Sequence, residues 1–531
     1  MPESSPSPRP SPGPGAVAGT GVGERSTVVI VGGGIAGMAA AWELTGAASG
    51  PRPGAPAVVV LEGSERLGGK LRSQSFAGRV VDVGPDGFLG RRPEGEQLCR
   101  EIGLGDALAP IGASGASVWA GGRLRPLPSG LNLGVPTRYL PVARSGVLGA
   151  AGNARLLADV LAPRPDRRGP LGDRAVGPLV ARKLGRRVVD RLVDPLLGGI
   201  YAGGVADVSA AAVHPLLLTA SRRQGSFMRS LRRAAAETAG VDRVGSPHGE
   251  PPPAFWALRG GLGVLADRLA GALAGRGVAL RTGCAVQRLE RADGGAGGWV
   301  VHTSTGPIAA DGIVLAAPAG PAAALIAPHD AEAANLLRSV DYASVAVVTL
   351  ALPEGALPDD LGGTGLLVPR SSRLPGATAA GLADAGLLAG EDGSGHFVVT
   401  ACTFLSQKWP HLARPGGSLL RASVGRAGDE RHRAMDDTGL GRRVAVELGT
   451  LLGTDLRPEA VLVTRWPDAL PQYRVHHLLR VAGVQAALRR LPAVTVAGAA
   501  YHGVGIPACI ASGRTAAQVL QRRMGASVDA P

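Results

Sequence analysis

An α/β and α+β multidomain fold is predicted by three features of this 531-residue chain. An apolar run, Val28-Val29-Ile30-Val31, breaks into glycines and resumes as the helix-like Met38-Ala39-Ala40-Ala41. A second strand, glycine and helix pattern lies near the far end, from Val494 through Gly498 to Gly513. Between the two, the regular strand–helix alternation of a plain six-stranded parallel sheet does not continue. Together these features place a discontinuous Rossmann-like domain at both ends of the chain, with a helical domain and a mixed-sheet domain inserted.

The first run carries G-x-G-x-x-G at Gly32, Gly34 and Gly37, with Gly33, Ile35 and Ala36 between them. The first glycine permits a tight turn, the second lets backbone approach a pyrophosphate, and the third packs helix on strand. The helix N-terminus offers free N–H groups to an anion. Among 81 glycines the motif alone is weak, so its surroundings decide. A second apolar strand, Ala57 to Leu61, ends on Glu62, 25 residues after Gly37, where a carboxylate is expected to bind a ribose hydroxyl. The Gly/Pro-rich stretch Ala47 to Pro56 accounts for the slightly long spacing. A dinucleotide, NAD or FAD, is the expected ligand.

Composition narrows the function classes. The length suggests about three domains, and 45% hydrophobic residues are ample for large cores. A formal charge of +14 invites a nucleic-acid reading. Yet the basic residues are nearly all arginine, with lysine only at 70, 183 and 408, and they are scattered, while aromatic residues are 3%. Without a basic run, a stacking platform or a zinc pattern, nucleic acid is not an expected partner. The cluster Arg222, Arg223, Arg229, Arg232 and Arg233 reads as a solvated helix face. Cys99, Cys284, Cys402 and Cys509 are far apart and form no C-x-x-C pair, so neither a metal cluster nor a disulfide framework is expected. Cys509 reads as a buried structural thiol. Residues 1–25, rich in Pro, Ser and Gly without an apolar segment, read as a disordered leader. No run of eighteen apolar residues follows, so a soluble, cytoplasmic protein is expected.

The helical region shows apolar spacing in Ala154 to Leu161, Val176 to Leu184 and Arg187 to Leu197. Val241 to Pro253 reads as a loop, followed by a helix over Leu262 to Leu273. Val278 to Leu280 and Cys284 to Leu289 read as strands, and Trp299 to Thr303 is expected to pair with Ile313 to Ala316. Strand candidates at Val345 to Leu352, Phe397 to Phe404, Leu419 to Val424 and Val461 to Trp466 suggest a largely antiparallel sheet. Arg474 to Leu488 and Ala508 to Leu520 read as helices.

Two further pieces favour FAD over NAD. Gly63 through Gly68-Gly69-Lys70 lets the chain turn close to a ligand and places a positive charge where a pyrophosphate would lie. Val80-Val81-Asp82-Val83 enters a constrained turn, Gly84-Pro85-Asp86-Gly87, able to face a planar ring. At the other end, Gly503-Val504-Gly505-Ile506-Pro507 precedes a helix N-terminus suited to negative charge near a reduced flavin.

This set resembles the FAD amine-oxidase superfamily. Within it, Gly365-Leu366-Leu367-Val368-Pro369, Cys402-Thr403-Phe404, Lys408-Trp409-Pro410, Leu420-Arg421 with Val424-Gly425-Arg426, and Trp466 through Tyr473 are similar to blocks of the protoporphyrinogen/coproporphyrinogen oxidases. The resemblance runs from about Thr27 to Leu520. It implies an FAD domain over 26–96, 254–318 and 464–525, a mainly helical domain over 97–240 and a substrate-binding domain over 319–463. It implies non-covalently bound FAD, with Glu62 on the adenosine ribose, Lys70 along the cofactor, and Gly84 to Gly87 lining the flavin. By the same carry-over Val286 meets the adenine through its backbone, and Trp466 with Val504, Gly505 and Ile506 completes the flavin surroundings.

The implied reaction is hydride removal from porphyrinogen methylene carbons to flavin N5, with oxygen as the final acceptor and hydrogen peroxide as by-product. No catalytic acid or base is assigned; His502 and Tyr501 lie near the expected flavin, and His502 reads as structural. Relatives acting on protoporphyrinogen carry an arginine in the strand before a Gly-Gly turn, where this chain has Gly115-Ala116-Ser117 before Gly121-Gly122, and Ala508 stands where Asp is usual. These departures favour coproporphyrinogen III over protoporphyrinogen IX. The resemblance also leaves room for peripheral membrane contact and for transfer of product to the next haem-pathway enzyme. A flavin amine or carotenoid oxidase, and a non-enzymatic flavin or tetrapyrrole carrier, are the alternatives.

Overall fold

A computed structural model describes residues 25–50, 54–161, 172–242, 252–292, 298–358, 361–388 and 395–528. The expected leader, apart from Arg25, and most of the Val241 to Pro253 loop lie outside the described residues.

Five strands form a parallel sheet in the order Ala279–Arg281, Ala57–Leu61, Thr27–Val31, Gly312–Leu315, Val494–Val496. Its central strands are almost continuously apolar because both faces are covered. Val28, Ile30, Val58 and Val60 pack beneath the helices Ile35–Leu44, Gly263–Ala274 and Ile506–Val528. Val29, Val31, Leu61, Ile313 and Leu315 face Ala319–Ile326, Ala331–Arg338 and His477–Leu488. The N- and C-terminal segments are thereby joined: Gly513 lets the last helix cross the first so closely that a Cβ would stand 2.1 Å from the Ala36 carbonyl oxygen.

The pairing expected for Trp299 to Thr303 is corrected. That strand lies between Val286–Arg291 and Gly306–Ala310 in an antiparallel three-stranded sheet. Gly306, at φ +123°, allows a tight hairpin closed by the Thr303 hydroxyl on the Gly306 carbonyl at 2.7 Å. Ile313, Val314 and Leu315 are fully buried, which suits the centre of a sheet covered on both faces rather than a hairpin arm.

A seven-stranded sheet follows the order Ala460–Pro471, Tyr342–Leu352, Ser418–Val424, Val399–Phe404, Gly365–Leu367, Ser117–Trp119, Leu124–Pro126. It is antiparallel except where Gly365–Leu367 meets Ser117–Trp119. The helix Asp437–Leu452 carries a buried ion pair whose carboxylate fastens it to this sheet. Glu447 accepts from Arg443 Nε and from the N–H groups of Val398 and Val399, the nearest contact of each at 2.9 Å, and neither side chain has solvent exposure. Glu447→Ala leaves Arg443 buried without its carboxylate and is expected to cost about 3–5 kcal/mol, read as a lower denaturant midpoint.

Short helices between Tyr139 and Asp242 surround a core containing Leu156, Val180, Leu192, Leu217 and Leu231. The segment expected as one helix over Arg187 to Leu197 is helical from Arg186 to Tyr201, with a π-helical stretch at Val189–Val193. Among the described residues no helix is long and apolar enough to cross a membrane, and no group of His, Cys, Asp and Glu is placed to hold a metal ion.

Candidate cofactor and active site

The Thr27–Val31 strand ends on Gly32 at φ +112°, whose N–H donates to the Leu61 carbonyl at 2.8 Å. A Cβ at Gly32 would stand 2.8 Å from the Ala316 backbone, and one at Gly37 only 2.0 Å from the Gly32 oxygen. Gly34 differs: it caps the helix Ile35–Leu44 in extended backbone, and a Cβ there would meet nothing within 4 Å. The glycine turn is closed beneath and open at the helix N-terminus. Glu62 stands at the end of the neighbouring strand, with Oε2 accepting from Gly33 N–H at 2.8 Å and Oε1 from the Ser64 N–H and hydroxyl at 2.9 and 2.8 Å. This cradle fits the adenosine-pyrophosphate half of FAD, with unpaired helix N–H groups at the open side and an oriented carboxylate for a ribose.

The Gly63 to Lys70 segment folds back over the turn through Gly68 N–H to the Gly33 carbonyl at 2.9 Å. Cys284 N–H donates to the Glu62 carbonyl at 2.9 Å, so Val286 begins its strand beside Glu62 and Gly63. Burial pushes the Cys509 thiol up to about 11, and the nearby Lys70 charge acts against that rise. Lys70 is thus beside the first turn of the C-terminal helix. Its backbone also meets the next element: a Cβ at Gly84 would stand 2.0 Å from the Lys70 oxygen.

Gly84 to Gly87 is held from behind by residues distant in sequence. Trp466 Nε1 donates to the Val83 carbonyl at 2.7 Å, and Arg421 Nη2 donates to the Gly84 carbonyl. Gly87 leaves room for the Trp409 ring, whose Cζ2 would be 2.7 Å from a Cβ there. After Pro85, Asp86 turns into the protein, where Oδ2 accepts from Lys408 Nζ at 2.9 Å and Trp409 Nε1 at 3.1 Å. Burial alone would raise its pKa, but the charges of Lys408 and Arg421 and the two hydrogen bonds hold it well below the usual carboxylate range. Asp82 goes the other way: burial lifts it to about 6 despite bonds from the Ser73 hydroxyl and Leu262 N–H.

The C-terminal loop is pinned by Tyr473, whose hydroxyl accepts from Gly503 N–H at 2.8 Å and donates to the Ala499 carbonyl. Tyr473 stacks on His477 at 3.9 Å, and His477 Nε2 donates to the Tyr501 carbonyl at 3.0 Å. Val504 is partly buried against the helical core, Ile506 is buried in the core under the parallel sheet, and the Gly505 carbonyl accepts the Cys509 N–H at 3.0 Å. His502 is exposed and pairs with Gln485 at 3.2 Å.

The structure therefore brings the two glycine turns, Glu62, Lys70, Val286 and the Gly84 loop around the edge of one parallel sheet. The sequence pattern assigns no role to Lys408, Trp409, Arg421 or Tyr473. A signal existed for two of them: Lys408 is one of three lysines, and Arg421 is the one charged residue of the strand Ser418–Val424.

Sheet, glycine cradle and oriented carboxylate define a dinucleotide-binding protein, and comparisons with known proteins make it an FAD-dependent oxidoreductase. The model of the family described as flavin containing amine oxidoreductase matches residues 35–521. The chain is 36% identical to coproporphyrinogen III oxidase of Mycobacterium tuberculosis over 93% of its own length and 97% of that protein. It is 30% identical to the coproporphyrinogen III oxidase of Bacillus subtilis over 92% and 96%, and 31% identical to human protoporphyrinogen oxidase over 92% and 97%. A solved structure from Exiguobacterium sp. 255-15 superposes with a TM-score of 0.77 at 30% identity, over 94% of this chain and 99% of that one. Cyclohexylamine oxidase of Brevibacterium oxydans, at 17% identity and a TM-score of 0.61, shares the fold. The chain belongs to the flavin containing amine oxidoreductase family, in the branch of the coproporphyrinogen III and protoporphyrinogen oxidases.

Proposed function

We propose that this chain oxidises coproporphyrinogen III to coproporphyrin III in haem biosynthesis, using oxygen. The observation that carries the reading is similarity across nearly the whole chain to several proteins named coproporphyrinogen III oxidase, at 30–36% identity. A cytoplasmic location suits this reading. Bound FAD supplies flavin N5 as hydride acceptor and, on reoxidation by oxygen, hydrogen peroxide.

The chain's own residues bind and orient. Glu62 accepts from the ribose, the open side of Gly34 with the N–H groups of Ile35 and Ala36 receives the pyrophosphate, and Lys70 adds positive charge along it. Gly63 and the Val286 backbone border the adenosine. Gly84 to Gly87, Trp466 and the Val504 to Ile506 loop border the isoalloxazine, in positions set by Arg421, Lys408, Trp409 and Tyr473. Residues 26–96, 254–318 and 464–525 serve the cofactor in this scheme, 97–240 form the helical part, and 319–463 supply most of the substrate wall. No side chain is assigned as acid or base.

Anaerobic mixing of the yellow protein with coproporphyrinogen III is expected to bleach the flavin, and air to restore its colour with release of peroxide. Bound flavin that is never reduced by a porphyrinogen would falsify the oxidase reading and favour a carrier. A larger kcat/KM for protoporphyrinogen IX would transfer the assignment to that substrate.

A further inference from the structure

Arg426 is a cation that the described residues enclose without a counter-ion of its own. Gly425, at φ +86°, turns the chain sharply at the end of the strand Ser418–Val424, and its missing Cβ leaves room for His432. The turn carries Arg426 inward, where it is 6% exposed and its Nε is buried with no hydrogen-bond partner. Among the described residues its guanidinium takes part in no ion pair. Of the acids whose charges reach it, Asp429 already holds Arg431 through two contacts of 2.8 Å, and Asp194, whose Oδ1 accepts from Val205 N–H at 3.2 Å, makes no ion pair with it. Arg370 and Arg431 add like charge to the same neighbourhood. A buried cation in that setting calls for an anion.

Its place in the fold says which anion. Ala427 N–H donates to the Ala202 carbonyl at 2.7 Å, and Arg370 Nη2 donates to the Ala427 carbonyl at 3.3 Å. Arg370 is exposed and lies 3.4 Å from where a Gly204 Cβ would stand, so the glycine keeps the guanidinium's surroundings open. On the other side of the same segment, the Tyr201 ring is 5.9 Å from Tyr473, the residue that pins Gly503. The arginine pair is therefore separated from the C-terminal flavin loop by little more than Tyr201 to Gly204, whereas the Gly115 to Ser117 segment offers no cation.

We propose that Arg426, with Arg370 at its rim, binds a carboxylate of the substrate, a propionate of the porphyrinogen macrocycle. The inference rests on the porphyrinogen reading above. A guanidinium is suited to this because its planar fork meets a carboxylate with two parallel N–H···O bonds.

The test uses the FAD-loaded enzyme and the variants Arg426→Met and Arg426→Lys. Arg426→Met is expected to raise KM for coproporphyrinogen III about 10- to 100-fold, the range of a lost charge-assisted hydrogen bond. Its kcat should stay within about two-fold and its FAD content should match the parent protein. Its Tm should be unchanged or higher, because an unpaired buried charge has been removed. Arg426→Lys should recover part of the KM. An unchanged KM, or a KM rise accompanied by lower Tm and lost FAD, overturns the proposal. Should the parent enzyme oxidise no porphyrinogen, the functional reading fails, and the site is read by binding alone. Coproporphyrin III must then raise the Tm of the parent protein more than that of Arg426→Met; equal shifts, or none in either, overturn the carboxylate site.

Discussion

Gly37→Val is expected to yield protein without FAD. A Cβ at Gly37 falls 2.0 Å from the Gly32 carbonyl oxygen and 3.2 Å from the Ala316 side chain. The nearer contact is backbone, held in place by the parallel strands on either side, so relief requires the first helix to lift from the strand that aims it. Overpacking of this kind costs about 1–3 kcal/mol and sometimes more, and it moves the N–H groups that would receive the pyrophosphate. A loss of about 3 kcal/mol corresponds to a weakening of FAD binding by over a hundredfold. Gly34→Ala separates the two effects. Its added methyl meets no protein atom within 4 Å, and its φ of −71° suits alanine, so the flavin-free protein should keep its Tm while FAD affinity falls. The visible flavin-to-protein absorbance ratio and thermal denaturation of flavin-free samples check both. Normal flavin content in Gly37→Val would show that the helix does not depend on this contact.

Asp86→Ala is expected to destabilise the protein by about 3–5 kcal/mol, because it leaves the largely enclosed Lys408 ammonium, with Arg421 nearby, facing no carboxylate. Asp86→Asn keeps the shape and one acceptor oxygen and should cost less. The pH dependence has a definite sign. The folded pKa is depressed below the ordinary 3.8, so the contribution is complete above about pH 4 and is lost as pH falls from there toward the folded pKa. Denaturation across acid pH should therefore show the gap between parent and Asp86→Ala narrowing only below about pH 4. A gap constant through that range would mean that the pair contributes nothing as ions. Because Asp86 sits within the loop proposed to border the isoalloxazine, the same variant should shift the visible flavin spectrum.

Much of the cofactor cradle was legible because its parts are local. The G-x-G-x-x-G turn, the strand ending on Glu62 and the Gly68-Gly69-Lys70 turn each lie within a few residues, and Gly32, Gly37 and Gly68 sit where a Cβ would clash or the backbone would be strained. The last strand and helix were legible for the same reason. Trp299 to Thr303 was mispaired because two apolar segments near each other in sequence look alike as hairpin arms. The difference lay in burial of Ile313 to Leu315 on both faces, a property of the assembled sheet.

Residues that work through distant partners were not legible in this way. Asp86 is secured by Lys408, 322 positions away, and Gly84 by Arg421, 337 positions away. Gly503 depends on Tyr473 from a different segment. Arg426 looks in sequence like other arginines of a basic chain, and what distinguishes it is burial with neither an ion pair nor a side-chain hydrogen bond among the described residues.

The sequence by itself determined the mixed α/β character and the glycine turn with its strand-end carboxylate, because a turn, a helix N-terminus and a strand end are set by neighbours along the chain. Tertiary structure alone decided how the Gly84 to Gly87 loop is held, which acids and bases pair, and which buried cation stays unpaired among the described residues, because charge and burial depend on which distant segments meet.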